Sequence, residues 1–310
     1  MTRLLQDLRI VEISAFVAAP LGGMTMAQMG ADVIRIDPIG GGIDHARWPV
    51  TRDGASLYWA GLNKAKRSLV LALDPLDGSD NIDPNAPMGT VFSLLPAIEG
   101  PEEASFRQPG RVQRAAGFIL YGPYTTLALT VGDGVHIFTL DRRERVFRLT
   151  KANVCIPMGR REYAINGSNA RHWPLPVRAF VEEFLAGSNG PRGADYNMRW
   201  LGCVVAEAYR ILLRGGIYLY PGDSRPGYER GRLRLLYEAA PLAALIEDAG
   251  GRATDGHSRI LDMVPKFPHQ KVPLVFGSSD KVTRLLETYG ASVPQAGQRP
   301  LFATRGLFKS

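Results

Sequence analysis

The chain has 310 residues and a mass of 33.9 kDa, which is enough for two domains or one large α/β unit. Its net charge of +7 is spread along the sequence and forms no basic block with interleaved aromatic residues. This distribution argues against nucleic-acid binding and suits an anionic substrate. The two cysteines, Cys155 and Cys203, indicate neither a disulfide framework nor a zinc site. No apolar stretch approaches the roughly 18 residues of a membrane span, and no signal-peptide core is evident, so we expect a cytoplasmic protein without a membrane partner.

The first seventy residues predict a β-α-β unit of the Rossmann-like kind. Residues 8–13 and 31–36 are apolar-rich and predict two strands. Between them, Pro20 marks the start of a helix and Gly30 its end. The glycine tract at 40–42 does not follow the dinucleotide-binding pattern, so a plain loop is favoured there over a nucleotide cradle.

An acidic motif, Asp-Pro-Leu-Asp-Gly-Ser at residues 74–79, follows an apolar run at 69–73. The run predicts a buried strand that ends at a turn carrying two carboxylates. Carboxylate and carbonyl oxygens are the hard ligands that Mg²⁺ or Mn²⁺ prefers. The amides of Gly78 and Ser79 can face a phosphate oxygen bound to the same metal. An ordinary acidic turn is the alternative.

The middle of the chain predicts a β-meander and two later helices. Residues 125–131 and 135–140 alternate around an Asp-Gly turn, and a third strand follows a second turn. Helical spacing and terminal Gly-Gly pairs predict helices at 201–213 and 237–249. The Pro/Gly-rich loop at 221–231 is the segment that we expect to be mobile or to cover a substrate.

Residues 4–73 resemble the opening of the family III CoA-transferases. The motifs that carry this resemblance are Leu8 to Ile13, Val17 to Pro20, Gly30 to Asp37, Tyr58-Trp59, Leu62 to Lys64 and Lys66 to Leu69. The match ends near Leu73, before the region that contains the catalytic aspartate of that family. A CoA-thioester transferase or racemase is therefore the least favoured function.

Residues 73–310 resemble class I fructose-1,6-bisphosphatase, within the lithium-sensitive sugar- and inositol-phosphatase superfamily. The motifs are Asp74 to Asp83, Gln108 to Gly110, Ala115 to Gly122, Tyr163 to Gly167, Gly215 to Pro221, Gly231 to Pro241, Ala249 to Gly251 and Pro300 to Phe308. The resemblance implies an α/β chain with a layered αβαβα fold of the sugar-phosphatase type. That fold is truncated, because the CoA-transferase-like segment replaces the family's opening residues. We therefore expect a fragment at 1–72 and a phosphatase domain at 73–310.

The resemblance also implies a site that binds a metal ion and the substrate. Asp74, Asp77 and Glu238 are the catalytic residues, and with the Leu76 carbonyl they are ligands of Mg²⁺ (or Mn²⁺). The substrate, a small phosphorylated sugar, is bound by Asp77, Gly78, Ser79, Asp80, Asn166, Arg199, Trp200, Tyr220 and Arg232. The amides of Gly78 and Ser79 contact the 1-phosphate, whereas Asn166, Tyr220 and Arg199 serve the sugar and 6-phosphate. Arg199 reaches across a subunit interface in the family, which implies a homo-oligomer, specifically a homotetramer.

Three positions depart from the family pattern: Asp80 replaces a serine, Trp200 a tyrosine and Arg232 a lysine. Arg232 keeps the charge with a different geometry, and Trp200 is equally consistent with core packing. Outside its motif, Glu238 would be interpreted as a capping or surface acid.

The replaced segment supplies further acidic metal ligands in the family. Between residues 1 and 73, only Asp44 and Asp53 are candidates for that role. Three hypotheses follow: metal-dependent hydrolysis of the 1-phosphate of fructose 1,6-bisphosphate, an inactive chimera that retains weak phosphosugar or metal binding, and a CoA-thioester enzyme.

Overall fold

The computed structural model describes residues 4–13, 18–37, 43–44, 47–52, 54, 56–98 and 102–290. Its main helices are α1 (Ala18–Gln28), α2 (Leu57–Leu62), α3 (Leu175–Leu185), α4 (Val204–Arg214), α5 (Ala240–Asp248) and α6 (Ser279–Gly290). Within these ranges, no helix combines the length and apolarity required to cross a membrane. The glycine tract at 40–42, Asp53 and the terminal motif at 300–308 lie outside the described residues.

The first sheet contains eight strands in chain order. They are β1 (Arg9–Glu12), β2 (Asp32–Asp37), β3 (Arg67–Asp77), β4 (Met88–Pro96), β5 (Ala115–Tyr121), β6 (Thr125–Thr130), β7 (Val135–Asp141) and β8 (Val146–Lys151). Strands β1 to β3 are parallel, and each later strand pairs antiparallel with the one before it. The predicted β-α-β unit and meander are therefore confirmed. A division between residues 72 and 73 would fall within β3, which joins the two parts of the sheet.

The second sheet is smaller and has the order β10-β9-β11-β15-β13. Its strands are β9 (Glu162–Ala164), β10 (Asn197–Met198), β11 (Ile217–Tyr220), β13 (Gly251–Thr254) and β15 (Leu274–Ser278). A separate two-stranded ribbon pairs β12 (Leu233–Arg234) with β14 (Lys271–Val272).

The sheets and helices alternate in layers. The largest apolar cluster joins Phe118 of the first sheet, Val205 of α4, Leu242 of α5 and Phe276 of the second sheet, so α4 and α5 lie between the sheets. A second cluster packs α3 and α6 against the outer face of the second sheet. This confirms a layered α/β fold of the truncated αβαβα type. In the described part of the chain, no helix packs on the outer face of the first sheet.

Strand β3 differs from its prediction in two ways. It continues through Pro75 to Asp77, whereas the motif was expected to form a turn after residue 73. It is also only half-buried, because Val70 and Ala72 face the core while Leu73 is 37% exposed. The strand accommodates Pro75, which has no N–H to donate, because the pairing with β4 is irregular at that point.

The helix boundaries also differ from the sequence predictions. Helix α1 begins at Ala18, two residues before Pro20. Helix α4 begins at Val204 because Cys203, its N-cap, has an extended backbone (φ −131°, ψ 121°). The helix expected at 237–249 is an α-helix only from Ala240, and a π-helical turn at Leu235–Ala239 precedes it.

Candidate metal centre

An irregularity in β3 places the two aspartates of the motif on the same face of the first sheet. Asp74 lies opposite Val91 and Asp77 lies opposite Gly89, so three steps along β3 match two steps along β4. In a regular strand, residues three apart point to opposite faces. The extra residue is a β-bulge, and bulges redirect side chains in this manner. Because Val91 and Gly89 share a face, Asp74 and Asp77 share it too.

Glu238 completes an acidic cluster from a distant part of the chain. Each of Asp74, Asp77 and Glu238 has a carboxylate oxygen within 4.8 Å of the others. Glu238 lies on the π-helical turn before α5, a helical irregularity that is frequent at functional sites. Its Oε2 accepts a hydrogen bond of 2.6 Å from the backbone N–H of Arg234. The register of the π turn therefore aims this side chain at the end of β3.

The electrostatics of the cluster fit a cation. Burial, together with the charges of Asp74 and Asp77, raises the pKa of Glu238 to about 7. Burial also raises the pKa of Asp77, and the charge of Asp74 adds to this effect. Carboxylates with buried, mutually repelling charges are stabilised by a nearby positive ion, and carboxylate oxygens suit a hard divalent metal. The donor set is thus suited to a divalent cation, and the metal site that the sequence predicts stays a prediction.

The Asp77 carboxylate is oriented by the start of α4. Its Oδ2 accepts hydrogen bonds from the Cys203 thiol and from the backbone N–H of Val205, each at 3.0 Å. Burial and the nearby Asp77 carboxylate raise the pKa of the Cys203 thiol, which keeps the proton on sulfur. Both of these bonds are made to the same oxygen of Asp77. No local sequence pattern links Cys203 to residue 77, so its place in the site could not be predicted.

A cleft of about 500 Å³ opens beside the cluster. Of the predicted substrate residues, Asp77, Gly78, Ser79, Asp80, Trp200, Tyr220 and Arg232 line it. Gly78 has a left-handed backbone (φ 76°), and a Cβ at this position would approach the Cys203 Cβ to 3.0 Å. A glycine is therefore required for the motif to pass this close to α4.

Two cationic residues that the sequence analysis did not identify also line the cleft. Arg234 and Lys271 lie directly opposite each other on β12 and β14, and both are exposed. Like charges at directly opposed positions of an antiparallel pair repel each other. An anion in the cleft would relieve this repulsion. Arg234 lies in a strand of two residues, so no periodicity in the sequence could have indicated its place in the cleft.

Trp200 lies where both of the roles considered for it remain open. It packs against the largest apolar cluster and also lines the cleft. Its ring stacks on Tyr218 with centroids 5.8 Å apart and planes within 3° of parallel. The predicted loop at 221–231 contributes Gly227 and Tyr228 to the cleft wall. Tyr228 accepts a hydrogen bond of 2.5 Å from Arg232, which ties the loop to the site.

Asn166 and Arg199 lie away from the acidic cluster. Asn166 lines a smaller cavity that shares Tyr220 and Arg232 with the main cleft. Arg199 does not line either cavity; its side chain is 57% exposed and lies 3.7 Å from Glu162. Leu76 is 38% exposed, and its N–H donates a hydrogen bond to the Asp74 side chain. The expected role of its carbonyl as a ligand stays a prediction.

Asp44, one of the two candidates for a missing ligand, belongs to another cluster. It is fully buried, and both of its oxygens lie 3.0 Å from the Arg35 guanidinium. Its charge is therefore already compensated. In the described ranges, the acidic cluster at the end of β3 contains three carboxylates.

Comparison with known proteins identifies three regions of similarity. Residues 58–152 match the family model described as fructose-1-6-bisphosphatase, N-terminal domain, and residues 156–290 match the corresponding C-terminal domain. Residues 5–82 match CoA-transferase family III. The two N-terminal matches overlap at 58–82, which contains β3 and the acidic motif.

Individual relatives agree with the family models. The class 1 fructose-1,6-bisphosphatase of Rhodopseudomonas palustris (strain BisB18) is 57% identical over 239 residues, which cover 77% of this chain and 69% of the relative. A second relative, from Nitrobacter hamburgensis, is 57% identical over 242 residues, with the same coverage of each chain.

Solved structures give the same result. The fructose-1,6-bisphosphatase of Leishmania major in its holo form superposes with a TM-score of 0.67 and 35% identity, covering 72% of this chain and 69% of that one. Its T-state structure superposes with a TM-score of 0.66 over 71% and 70% of the two chains. The chain belongs to the class 1 fructose-1,6-bisphosphatase family.

Proposed function

We propose that this chain hydrolyses the 1-phosphate of fructose 1,6-bisphosphate with a divalent cation, Mg²⁺ or Mn²⁺, bound by Asp74, Asp77 and Glu238. The observation that carries this proposal is the convergence of the three carboxylates within 4.8 Å beside a cleft with a cationic wall. The relatives are phosphatases by name, and the family depends on metal and binds phosphosugars.

The residues of the cleft have complementary roles in this reaction. A bound divalent cation would neutralise charge on the transferring phosphoryl group and activate a water. The amides of Gly78 and Ser79 are suited to bind the oxygens of the 1-phosphate at the turn after β3. Arg234 and Lys271 add positive charge to the same cleft, which favours a substrate with several phosphate oxygens. Asn166, Tyr220 and Arg232 would bind the sugar and the 6-phosphate.

The assembly and location are part of the same proposal. Family members are generally oligomeric, and a homotetramer would allow Arg199 to reach a neighbouring subunit. The side chain of Arg199 is exposed and available for such a contact. We further propose a cytoplasmic location and a division of the chain into a fragment at 1–72 and a phosphatase domain at 73–310, with β3 shared by the two parts.

Mg²⁺-dependent release of phosphate from fructose 1,6-bisphosphate tests the function. The Asp77→Asn variant should abolish release, because it removes a ligand charge from the centre of the cluster. Asp83→Asn is the matched control, since Asp83 is exposed and lies six residues further along the chain. Equal rates for the wild type and Asp77→Asn would contradict the assignment.

An inactive chimera that binds phosphosugar or metal weakly is the second candidate. It is favoured by the size of the ligand set, because three carboxylates form the cluster among the described residues and Asp44 is paired with Arg35. Binding of Mn²⁺ and fructose 6-phosphate without measurable phosphate release would support this candidate. The similarity of residues 5–82 to CoA-transferases leaves a CoA-binding module as a third, which the absence of a CoA-dependent thermal shift would eliminate.

A further inference from the structure

The two faces of the first sheet differ in how they are covered. One face carries Asp74, Val70 and Ala72 and lies against the π-helical turn and the helices. The other, which we call the open face, carries the side chains that alternate with these. Leu73, Phe92 and Leu129 lie on the open face in one row that runs across the strands, in which each residue is in register with the next. Leu127, Phe138 and Leu149 lie in a second such row. Helices α1, α4 and α5 all pack on the first face.

The open face is apolar across the middle of the sheet. In β4 to β7 its positions hold no Lys, Arg, Asp or Glu. Several of its side chains remain substantially exposed among the described residues, including Val11 (55%), Tyr121 (38%), Phe147 (37%) and Leu149 (53%). A contiguous apolar surface of this kind on a folded protein marks an interaction site.

The size of the open face suits a protein–protein interface. Eight strands at a spacing of about 4.8 Å, with a common length of about five residues at about 3.3 Å per residue, give a flat footprint of roughly 600 Å². The relief of the side chains adds to this value. A standard stable interface buries about 800 Å² on each partner, so the open face alone approaches the area that a dimer needs.

One end of the open face carries charged side chains of both signs. Arg9 and Arg67 both contact Asp32 there, and all three side chains are solvent-accessible. Under a two-fold axis, the arginines of one copy can meet the aspartate of the other, and the apolar centres can meet each other. Two sheets with the same twist pack face to face at about 10 Å separation, with their strands about 30° apart. A second copy of this chain therefore matches the open face in its apolar character and can pair with the charged groups at its end.

We propose that two copies of this chain pack through their open faces in an isologous dimer about a two-fold axis. The active-site carboxylates lie on the opposite face of the same sheet, so the cleft stays accessible in this dimer. The inference does not depend on the proposed reaction.

Sedimentation equilibrium of the purified chain tests this proposal. The wild type should sediment with at least twice the mass of one chain at micromolar concentration. The double variant Leu127→Asp/Leu149→Asp places two charges in one row of the open face, and its measured mass should fall by half. Val146→Asp is the matched control. Val146 is 45% exposed on the same strand as Leu149 but points to the other face, so this variant should keep the mass of the wild type.

Two further measurements distinguish loss of the dimer from unfolding of the double variant. Circular dichroism establishes whether the double variant is folded, and the single Leu149→Asp variant, at an exposed position, replaces it if it is not. On the wild type alone, dilution should increase the fluorescence of 8-anilinonaphthalene sulfonate per chain, as the open faces separate. A wild type that sediments as a monomer at all concentrations would overturn the proposal. Equal dissociation of Val146→Asp and Leu149→Asp would also overturn it.

Discussion

The N-terminal unit and the phosphatase body are stabilised by different interactions. In the described N-terminal residues, the buried apolar cluster contains only Ala27, Ala31 and Val33. Beside it lies an ion network in which the buried Arg35 contacts Glu12, Asp37 and Asp44 at 3.3, 2.8 and 3.0 Å. Lys66 contacts Glu12 at 2.9 Å in the same network. The phosphatase body instead packs two sheets against α4 and α5 through a large apolar cluster.

This difference indicates how each part should respond to mutation. A buried ion pair adds little net stability compared with apolar packing, but removal of one partner leaves a buried charge and is costly. Apolar packing loses stability in proportion to the cavity that a substitution creates. We therefore expect the N-terminal unit to be sensitive to single charges and the body to be sensitive to single large side chains.

The largest effect is expected at the centre of the body. Phe118 is fully buried on β5 between the first sheet and the helices. Phe118→Ala should lower the free energy of unfolding by about 3 to 5 kcal/mol, measured by urea denaturation. Val146→Ala, at a position 45% exposed, is the control and should change it by less than about 0.5 kcal/mol. Equal effects of the two substitutions would contradict the description of this core.

Loss of Arg35 should open the N-terminal unit locally. Arg35→Met leaves three buried carboxylates without their guanidinium and should cost about 3 to 5 kcal/mol. Hydrogen exchange should accelerate in β1 and β2 and remain slow in β5. Arg9→Met is the control, because its ion pair with Asp32 is exposed, and such pairs contribute about 0 to 1 kcal/mol. If hydrogen exchange accelerated equally over the whole chain, the N-terminal unit would not open independently of the phosphatase body.

The charge of Glu238 should destabilise the metal-free protein at high pH. Its folded pKa of about 7 lies above the ordinary value of 4.5. The stability that the protonated group contributes is therefore fully present below about pH 4.5 and is lost as the pH rises through about 7. In EDTA, Glu238→Gln should melt at a higher temperature than the wild type at pH 8, and this difference should diminish at pH 5.

Mg²⁺ provides a second test of the same carboxylate. It should raise the melting temperature of the wild type at pH 8 more than that of Glu238→Gln, because the variant lacks one ligand charge. Glu229→Gln, at an exposed position, is the control and should behave as the wild type does. A Glu238→Gln variant that is less stable than the wild type at pH 8 in EDTA would contradict the raised pKa.

The smallest effect is expected from the thiol that orients Asp77. Cys203→Ala removes one of the two hydrogen bonds to Asp77 Oδ2 and should weaken Mn²⁺ binding about 10-fold to 100-fold. Cys203→Ser should restore binding, because a hydroxyl can donate the same bond. Cys155→Ala, at an exposed position, should have no effect. If Cys203→Ser binds Mn²⁺ as weakly as Cys203→Ala does, the thiol affects the site through packing and not through its hydrogen bond.

Local sequence patterns correctly predicted the β-meander and the acidic motif. The meander follows from strand alternation around the Asp-Gly turn, and the carboxylates of the motif are adjacent in sequence. The bulge in β3 was missed because Pro75 followed by Gly78 is also typical of a turn, and only pairing with β4 distinguishes the two. The cationic pair of Arg234 and Lys271 depends on two-residue strands, which are too short for any periodicity. The contact between Cys203 and Asp77 joins residues 126 apart, and only the fold can create it.

The central claim is that Asp74, Asp77 and Glu238 form one divalent cation site. Isothermal titration of the metal-free chain with Mn²⁺ tests it most directly, with Asp77→Asn as the variant and Asp83→Asn as the control. We expect one binding event in the wild type and in Asp83→Asn, and none in Asp77→Asn. Binding of equal strength in all three proteins, or no binding to the folded wild type, would contradict the account.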